Sequence, residues 1–217
     1  GSKLHAEGYY AATIDFTEAD LANADLSDSQ LKVDGSGGGP TAVIGFGRAN
    51  LANADLRGSK LEADGYEATI DFTMADLANA DLSGSALEAY TNYYGATIDF
   101  EEAHLANADL SGSWLSAESR TGDTKIDFAK ANLTNADLSG SRLTATPTGA
   151  YPKFPGDSTI NFTKADLANT EFSGSVLTTG TTGSIIGVPC GMVPNAGWYR
   201  ITPCLPSPPL PPSPPPP

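Results

Sequence analysis

The side chains best equipped for chemistry in this chain are acids that return at near-constant intervals. Asp25, Asp55, Asp81, Asp109, Asp137 and Glu171 each stand one residue before a Leu or Phe, and Asp20, Asp76 and Asp166 do the same one step earlier along the chain. Paired carboxylates serve hydrolysis when unlike environments across a cleft push their pKa values apart. A repeated position does the opposite, because every carboxylate then meets much the same surroundings. Calcium needs about six to eight oxygens converging on one point, and the sequence has neither an EF-hand loop nor a Gly-Asp calcium repeat. His5 and His104 are the only histidines, at unrelated places, and His104 takes an outward position otherwise filled by Asp or Asn. The run Gly35-Ser36-Gly37-Gly38-Gly39 lacks the Gly-Lys-Ser/Thr of a phosphate loop and reads as a flexible loop. The expectation is a chain that is no enzyme, with no catalytic residue, no metal site and no cofactor.

A repeat must position those acids. Ala-Asn-Ala-Asp-Leu occurs at 22–26, 52–56, 78–82 and 106–110, with close variants at 134–138 and 168–172. Large apolar residues recur every five positions in six blocks of four, from Phe16, Leu21, Leu26 and Leu31 to Phe162, Leu167, Phe172 and Leu177. A smaller set precedes each by two residues: Ile14, Ala19, Ala24 and Ser29 in the first block, Ile160, Ala165, Thr170 and Ser175 in the last. A period of five fits neither a 3.6-residue helix nor a two-residue strand alternation. It fits a coil that turns a corner every five residues, so that four sides close a square and successive squares stack about 4.8 Å apart. No coil buries its interior alone; stacking supplies the core. Asn23, Asn53, Asn79, Asn107, Asn135 and Asn169 then form an outward amide ladder. Between the fourth side of one block and the first side of the next, the spacing stretches to 11–19 residues. These inserts, among them Val33 to Val43, Ala89 to Thr97 and Ala145 to Thr159, are rich in Gly, Tyr, Thr and Pro and read as loops extruded at one corner. Tyr9, Tyr10, Tyr66, Tyr90, Tyr93, Tyr94 and Tyr151 lie in such inserts, either as a contact stripe for sugar or a neighbouring subunit, with Tyr10, Tyr66, Tyr93, Tyr94 and Tyr151 its foremost members, or packed down on their own coil edges.

The pattern resembles the pentapeptide repeat family, whose unit is Ala-(Asp/Asn)-Leu-x-x. The resemblance covers about residues 1–180. It implies an all-β fold, a right-handed quadrilateral parallel β-helix of about six to seven coils, in which the Asp or Asn before the central Leu ties down the turn. Some members are similar in being acidic rods that imitate duplex DNA and occupy topoisomerases.

Charge and the two ends complete the reading. The chain has 26 acids against 12 bases, a net charge of -14, so neither nucleic acid nor an anionic membrane surface is an expected partner. No apolar run approaches the ~18 residues of a membrane span, so no membrane insertion is expected. The start, Gly1 to Tyr9, parallels Gly58 to Tyr66, as though the chain opened inside the fourth side of a preceding coil. Such an edge invites head-to-tail stacking of copies. Residues 181–205 are expected to cap the last coil, with Ile185 and Trp198 covering its interior. Cys190 and Cys204 are expected to form a disulfide pinning that cap, which implies an oxidising, extracytoplasmic setting; two free buried thiols are the alternative. Residues 206–217 are expected to form a polyproline II tail. It resembles the hydroxyproline-rich matrix glycoproteins of plants and green algae, which implies O-linked sugar on Pro206, Ser207, Pro208, Pro209, Pro211, Pro212, Ser213, Pro214, Pro215, Pro216 and Pro217. The sequons at Asn132 and Asn161 lie in tight coils and are expected to stay bare. Together these point to a secreted structural subunit of a fibril, wall or matrix, assembling with itself and carrying glycans. The alternatives are an acidic topoisomerase-binding DNA mimic, or an ice-binding protein using the flat Ala22, Ala52, Ala78, Ala106, Thr134, Ala168 ladder.

Overall fold

Backbone at the corners accounts for the repeat. In a computed structural model that describes residues 1–35, 41–148, 156–180, 183–187, 192–195 and 198–201, the last two stretches by backbone alone, three of the four corners of each coil hold a left-handed residue. At the second corner these are Asn23, Asn53, Asn79, Asn107, Asn135 and Asn169, with φ of 57–59°. Each closes a tight turn, as where Ala24 N donates to Leu21 O at 3.0 Å and Ala80 N to Leu77 O at 3.0 Å. Asn tolerates this conformation because its short amide bonds locally. The third corner uses Gly58, Gly84, Gly112, Gly140 and Gly174, where a Cβ would be strained. At the first corner Glu18, Arg48, Met74, Glu102, Lys130 and Lys164 adopt the same conformation at a cost of about 1 kcal/mol each.

The acid before each large apolar residue then fixes the next turn. Asp81 Oδ1 accepts from Ser83 N at 2.9 Å, Asp109 from Ser111 N at 2.8 Å and Asp137 from Ser139 N at 2.7 Å. Glu171, one methylene longer, still reaches Ser173 N at 2.7 Å. Asn50 makes the same bond to Ala52 N at 3.2 Å, so an uncharged acceptor oxygen can close the turn as well.

Strands occupy the fourth and first sides. They run in pairs: β1 (Lys3–Glu7) with β2 (Ala11–Asp15), β3 (Gln30–Asp34) with β4 (Thr41–Gly45), β5 (Lys60–Gly65) with β6 (Glu67–Asp71), β7 (Ala86–Thr91) with β8 (Ala96–Asp99), β9 (Trp114–Ser119) with β10 (Thr124–Asp127), β11 (Arg142–Pro147) with β12 (Ser158–Asn161), and β13 (Val176–Thr179) with β14 (Ser184–Ile186). Odd-numbered strands β1 to β13 form one parallel sheet and even-numbered strands β2 to β14 another. Registers match like with like: Leu31, Leu61, Leu87, Leu115, Leu143 and Leu177 are successive partners in the first sheet, and Ile14, Ile44, Ile70, Ile98, Ile126, Ile160 and Ile185 in the second. Single bridges link the second and third sides, through Asp20, Asn50, Asp76, His104, Asn132 and Asp166, and through Asp25, Asp55, Asp81, Asp109, Asp137 and Glu171. The result is the right-handed quadrilateral β-helix, with about six turns.

The interior is a set of columns. Phe16, Phe46, Phe72, Phe100, Phe128 and Phe162 stack with centroids 4.8–5.1 Å apart, the inner pairs within 3° of parallel. Leu and Ala columns fill the other sides and are buried. The fourth side carries a column of buried hydroxyls, in which Ser59, Ser85, Ser113 and Ser141 Oγ have no hydrogen-bond partner.

The inserts depart from the loop reading. Val33 to Val43, Ala89 to Thr97 and Ala145 to Thr159 each contain the end of an odd strand and the start of an even one. The two strands run on together past the corner as a narrow wing. They can do so because the facing interior residues are small: Ala63, Ala89, Ala117 and Ala145 on one sheet, Ala12, Ala42, Ala68 and Ala96 on the other, all buried. Between β5 and β6 a single residue, Tyr66, separates the two strands.

At the far end β14 continues the second sheet in parallel, and Ile185 lies partly buried against the core. The first sheet ends differently. A hairpin of β15 (Met192–Asn195) and β16 (Trp198–Ile201) adds antiparallel strands to β13, pairing Leu177 with Tyr199. Cys190, Cys204, the Trp198 side chain and residues 206–217 lie outside what is described.

Candidate binding surface

Because β5, β7 and β9 extend past the corner, the outer face of the first sheet is a broad wall of side chains. Alternation along each strand sends Leu and Ala inward and their neighbours out. Three outward columns result: Lys60, Ala86, Trp114; Glu62, Glu88, Ser116; and Asp64, Tyr90, Glu118. The small Ala86 stands beside the large Trp114, and a groove of about 300 Å³ opens across the face. It is lined by Glu62, Asp64, Glu88, Ala89, Tyr90, Trp114, Ser116 and Glu118. Trp114 is 45% and Tyr90 37% exposed, whereas Ser116 is buried at 4%.

Its electrostatics are uneven. Lys60 Nζ lies 2.9 Å from both Glu62 and Glu88, and Lys32 Nζ lies 2.6 Å from Glu62. Lys32 holds the Glu62 carboxyl below its ordinary range. Asp64 is pushed the other way, raised first by burial and then by the neighbouring Asp34. Among the described residues Asp64 and Glu118 make no ion pair with a Lys or Arg. Ser116 Oγ donates to Glu118 Oε1 at 2.8 Å and Tyr90 Oη to Asn92 Oδ1 at 3.1 Å. The lining therefore offers carboxylate acceptors and aromatic faces, with its hydroxyl protons already committed.

Other residues singled out in the sequence are distributed as follows. Tyr66 and Tyr93 stack at 4.3 Å with 12° between planes, and Tyr94 lies 6.5 Å from Tyr66. The Tyr93 hydroxyl raises the Tyr66 phenol above its usual pKa. Tyr10 instead pairs edge-to-face with Tyr9 at 5.1 Å, and Tyr151 lies outside the described residues. Tyr9 in turn lies within electrostatic reach of Tyr66. The amide ladder is present: Asn79, Asn107, Asn135 and Asn169 Nδ2 each donate to the amide of the preceding coil at 3.1–3.3 Å. His104 sits half-exposed on the second side, its Nδ1 3.2 Å from Asp76 Oδ1. Among the described residues no group of three His, Cys, Asp or Glu is placed to hold a metal ion, and no helix is long and apolar enough to cross a membrane. Asn161 Nδ2, the atom an N-linked sugar would occupy, donates to Asp127 Oδ1 at 2.9 Å.

Of the groove's aromatic and acidic lining, the sequence brought forward only Tyr90, as one of the insert tyrosines. Reading the inserts as loops removed any reason to ask which of their side chains share a face. A signal was there: Leu61-x-Ala63-x-Gly65, Leu87-x-Ala89-x-Thr91 and Leu115-x-Ala117-x-Ser119 keep a period of two beyond the corner, which is the mark of a strand.

The family model for pentapeptide repeats matches residues 124–146. No curated protein matches the chain. Among solved structures, HetL, a pentapeptide repeat protein involved in heterocyst differentiation regulation from the cyanobacterium Nostoc sp. strain PCC 7120, is 22% identical; 80% of this chain and 86% of that one are covered, with a TM-score of 0.21. A plasmid-mediated fluoroquinolone resistance protein is 13% identical, with 82% and 93% covered and a TM-score of 0.20. A pentapeptide repeat protein from the cyanobacterium Cyanothece 51142 is 16% identical, with 86% of each chain covered and a TM-score of 0.20. At these identities and TM-scores none of the likenesses bears on what this chain binds. The matched segment runs from the first side of one coil to its fourth, a pattern that the other coils repeat in register, and the chain carries pentapeptide repeats.

Proposed function

We propose that the chain is a non-catalytic structural module, a stiff rod that holds binding surfaces at fixed spacing in an extracellular wall, matrix or fibril. One observation carries this reading: the outward polar groups that might do chemistry are spent on tying coils together. The carboxylates cap turns, the asparagines bond from coil to coil, and the aromatic column runs through the interior without a gap. The extracellular setting is supported by the proline-rich tail and the two C-terminal cysteines of the sequence. Self-association belongs to the same proposal. Leu4 is 42% exposed and Phe16, Leu21 and Leu26 are only partly covered, so the first coil offers an apolar cross-section that one more coil fits, from the same chain or another. Native material examined by mass spectrometry and electron microscopy tests both parts. Hydroxyproline bearing pentose on the tail, in particles of rod form, is the expected result. An unmodified tail on isolated monomers would overturn it.

A second reading rests on the carboxylate column of the third side, Asp25, Asp55, Asp81, Asp109, Asp137 and Glu171, in a chain of net charge -14. Such a column is suited to imitating a polyanion before a basic protein surface. Inhibition of a DNA topoisomerase by the purified chain would favour it over the structural role.

A further inference from the structure

We propose that the groove between Trp114 and Tyr90 is a docking site for a basic peptide segment, seating an Arg or Lys side chain between the aromatic rings and the carboxylates. Hydrogen-bonding inventory decides the chemistry. Ionised carboxylates only accept, and Glu62, Asp64, Glu88 and Glu118 supply the polar lining. The Ser116 and Tyr90 hydroxyls already donate, to Glu118 and Asn92. A ligand must therefore bring donors and has almost none offered to it. A guanidinium or ammonium group does this; a neutral sugar, whose hydroxyls both donate and accept, would leave its own oxygens unpaired.

Charge points the same way. Lys60 and Lys32 pair with Glu62 and Glu88, while among the described residues Asp64 and Glu118 make no ion pair. Burial raises Asp64, a penalty that a bound cation relieves. The exposed faces of Trp114 and Tyr90 add cation–π attraction, strongest for Trp. Anionic partners are repelled by this wall as by the rest of the chain. The inference stands independently of where the rod resides.

The test uses the full chain and a short blocked peptide of alternating Arg and Gly, followed by fluorescence anisotropy at physiological salt. Trp114→Ala leaves the net charge unchanged and is accommodated, since Ala86 fills the same column one coil away. It is expected to weaken binding about tenfold, with Tyr90→Ala a second reading of the same wall. Glu118→Gln is expected to weaken binding more than Asp109→Asn, which removes one charge from another side and keeps the turn bond that Asn50 makes. Wild-type affinity in Trp114→Ala and Tyr90→Ala would overturn the proposal. So would equal losses in Glu118→Gln and Asp109→Asn, which would mean unspecific attraction to a polyanion. Displacement of the peptide by a neutral glucan oligosaccharide would also overturn it, in favour of a sugar site.

Discussion

Replacing Asn107 separates the two things the asparagine does. Its φ is 59°, its Nδ2 donates to Asn79 Oδ1 at 3.1 Å, and its Oδ1 accepts from Asn135 Nδ2 at 3.1 Å. Both bonds are exposed, so each contributes near the low end for a hydrogen bond, about 0.5 kcal/mol, or about 1 kcal/mol for the pair. Asn107→Ala loses that and also the short polar side chain that lets a residue with a Cβ tolerate the left-handed region, a further cost of about 1–2 kcal/mol. Asn107→Gly loses the bonds but not the conformation, at a cost of about 0.5 kcal/mol for its freer unfolded chain. The expected destabilisations are therefore about 2.5 kcal/mol for Ala and about 1.5 kcal/mol for Gly. Urea unfolding followed by circular dichroism, with the slope checked for constancy, reads both. If Ala is as mild as Gly, the left-handed corner is not what holds the second turn. If both are neutral, the amide ladder contributes nothing and the reasoning fails.

Three other outcomes follow from the columns. Ser85 Oγ is buried and unpartnered, so Ser85→Ala should be neutral or stabilising by up to about 1 kcal/mol. Ser175, whose Oγ donates to Phe172 O at 2.6 Å, should instead lose about 1 kcal/mol on the same change, both read by thermal or urea melts. Phe100→Ala removes a fully buried ring stacked at 4.9 and 4.8 Å on its neighbours and should cost about 3–5 kcal/mol. Acid should weaken the fold through the turn-capping carboxylates: Asp15, Asp25 and Asp55 sit below their ordinary value of 3.8, held there by Thr17, Ser27 and Arg57. A folded pKa below the unfolded one stabilises above 3.8, and that contribution is lost as pH falls through the lower, folded value. Replacing the three acids by Asn should flatten the acid limb of a stability–pH curve. An unchanged limb would mean that the caps do not act through their charge.

How much of this was legible in the sequence depended on which period the residues kept. The five-residue recurrence of Phe16, Leu21, Leu26 and Leu31 defines the square, and the outward Asn and Asp ladders follow from it directly. The turn-capping role of Asp81 and Asp109 also followed, because it is a local bond over two residues. The wing was hidden because Gly, Tyr and Thr composition outweighed a short two-residue alternation. At Ala63, Ala89 and Ala117 the buried residue is too small to announce itself as core. The groove was lost with it, since Trp114 and Tyr90 line one face only when two coils stack in register. The unpartnered serines could not be read from sequence at all, as burial of a hydroxyl depends on what closes over it.

Hydrogen exchange at the inner coils tests most directly whether each square is completed by those above and below it. Leu51, Leu77, Leu105 and Leu133 N donate to the next coil at 2.7–2.8 Å. Their amides are expected to exchange together, with one free energy equal to that of global unfolding. If one inner coil exchanged as freely as an unfolded peptide while both neighbours stayed protected, its interior would not be shared with them. The stacked-column account would then be wrong.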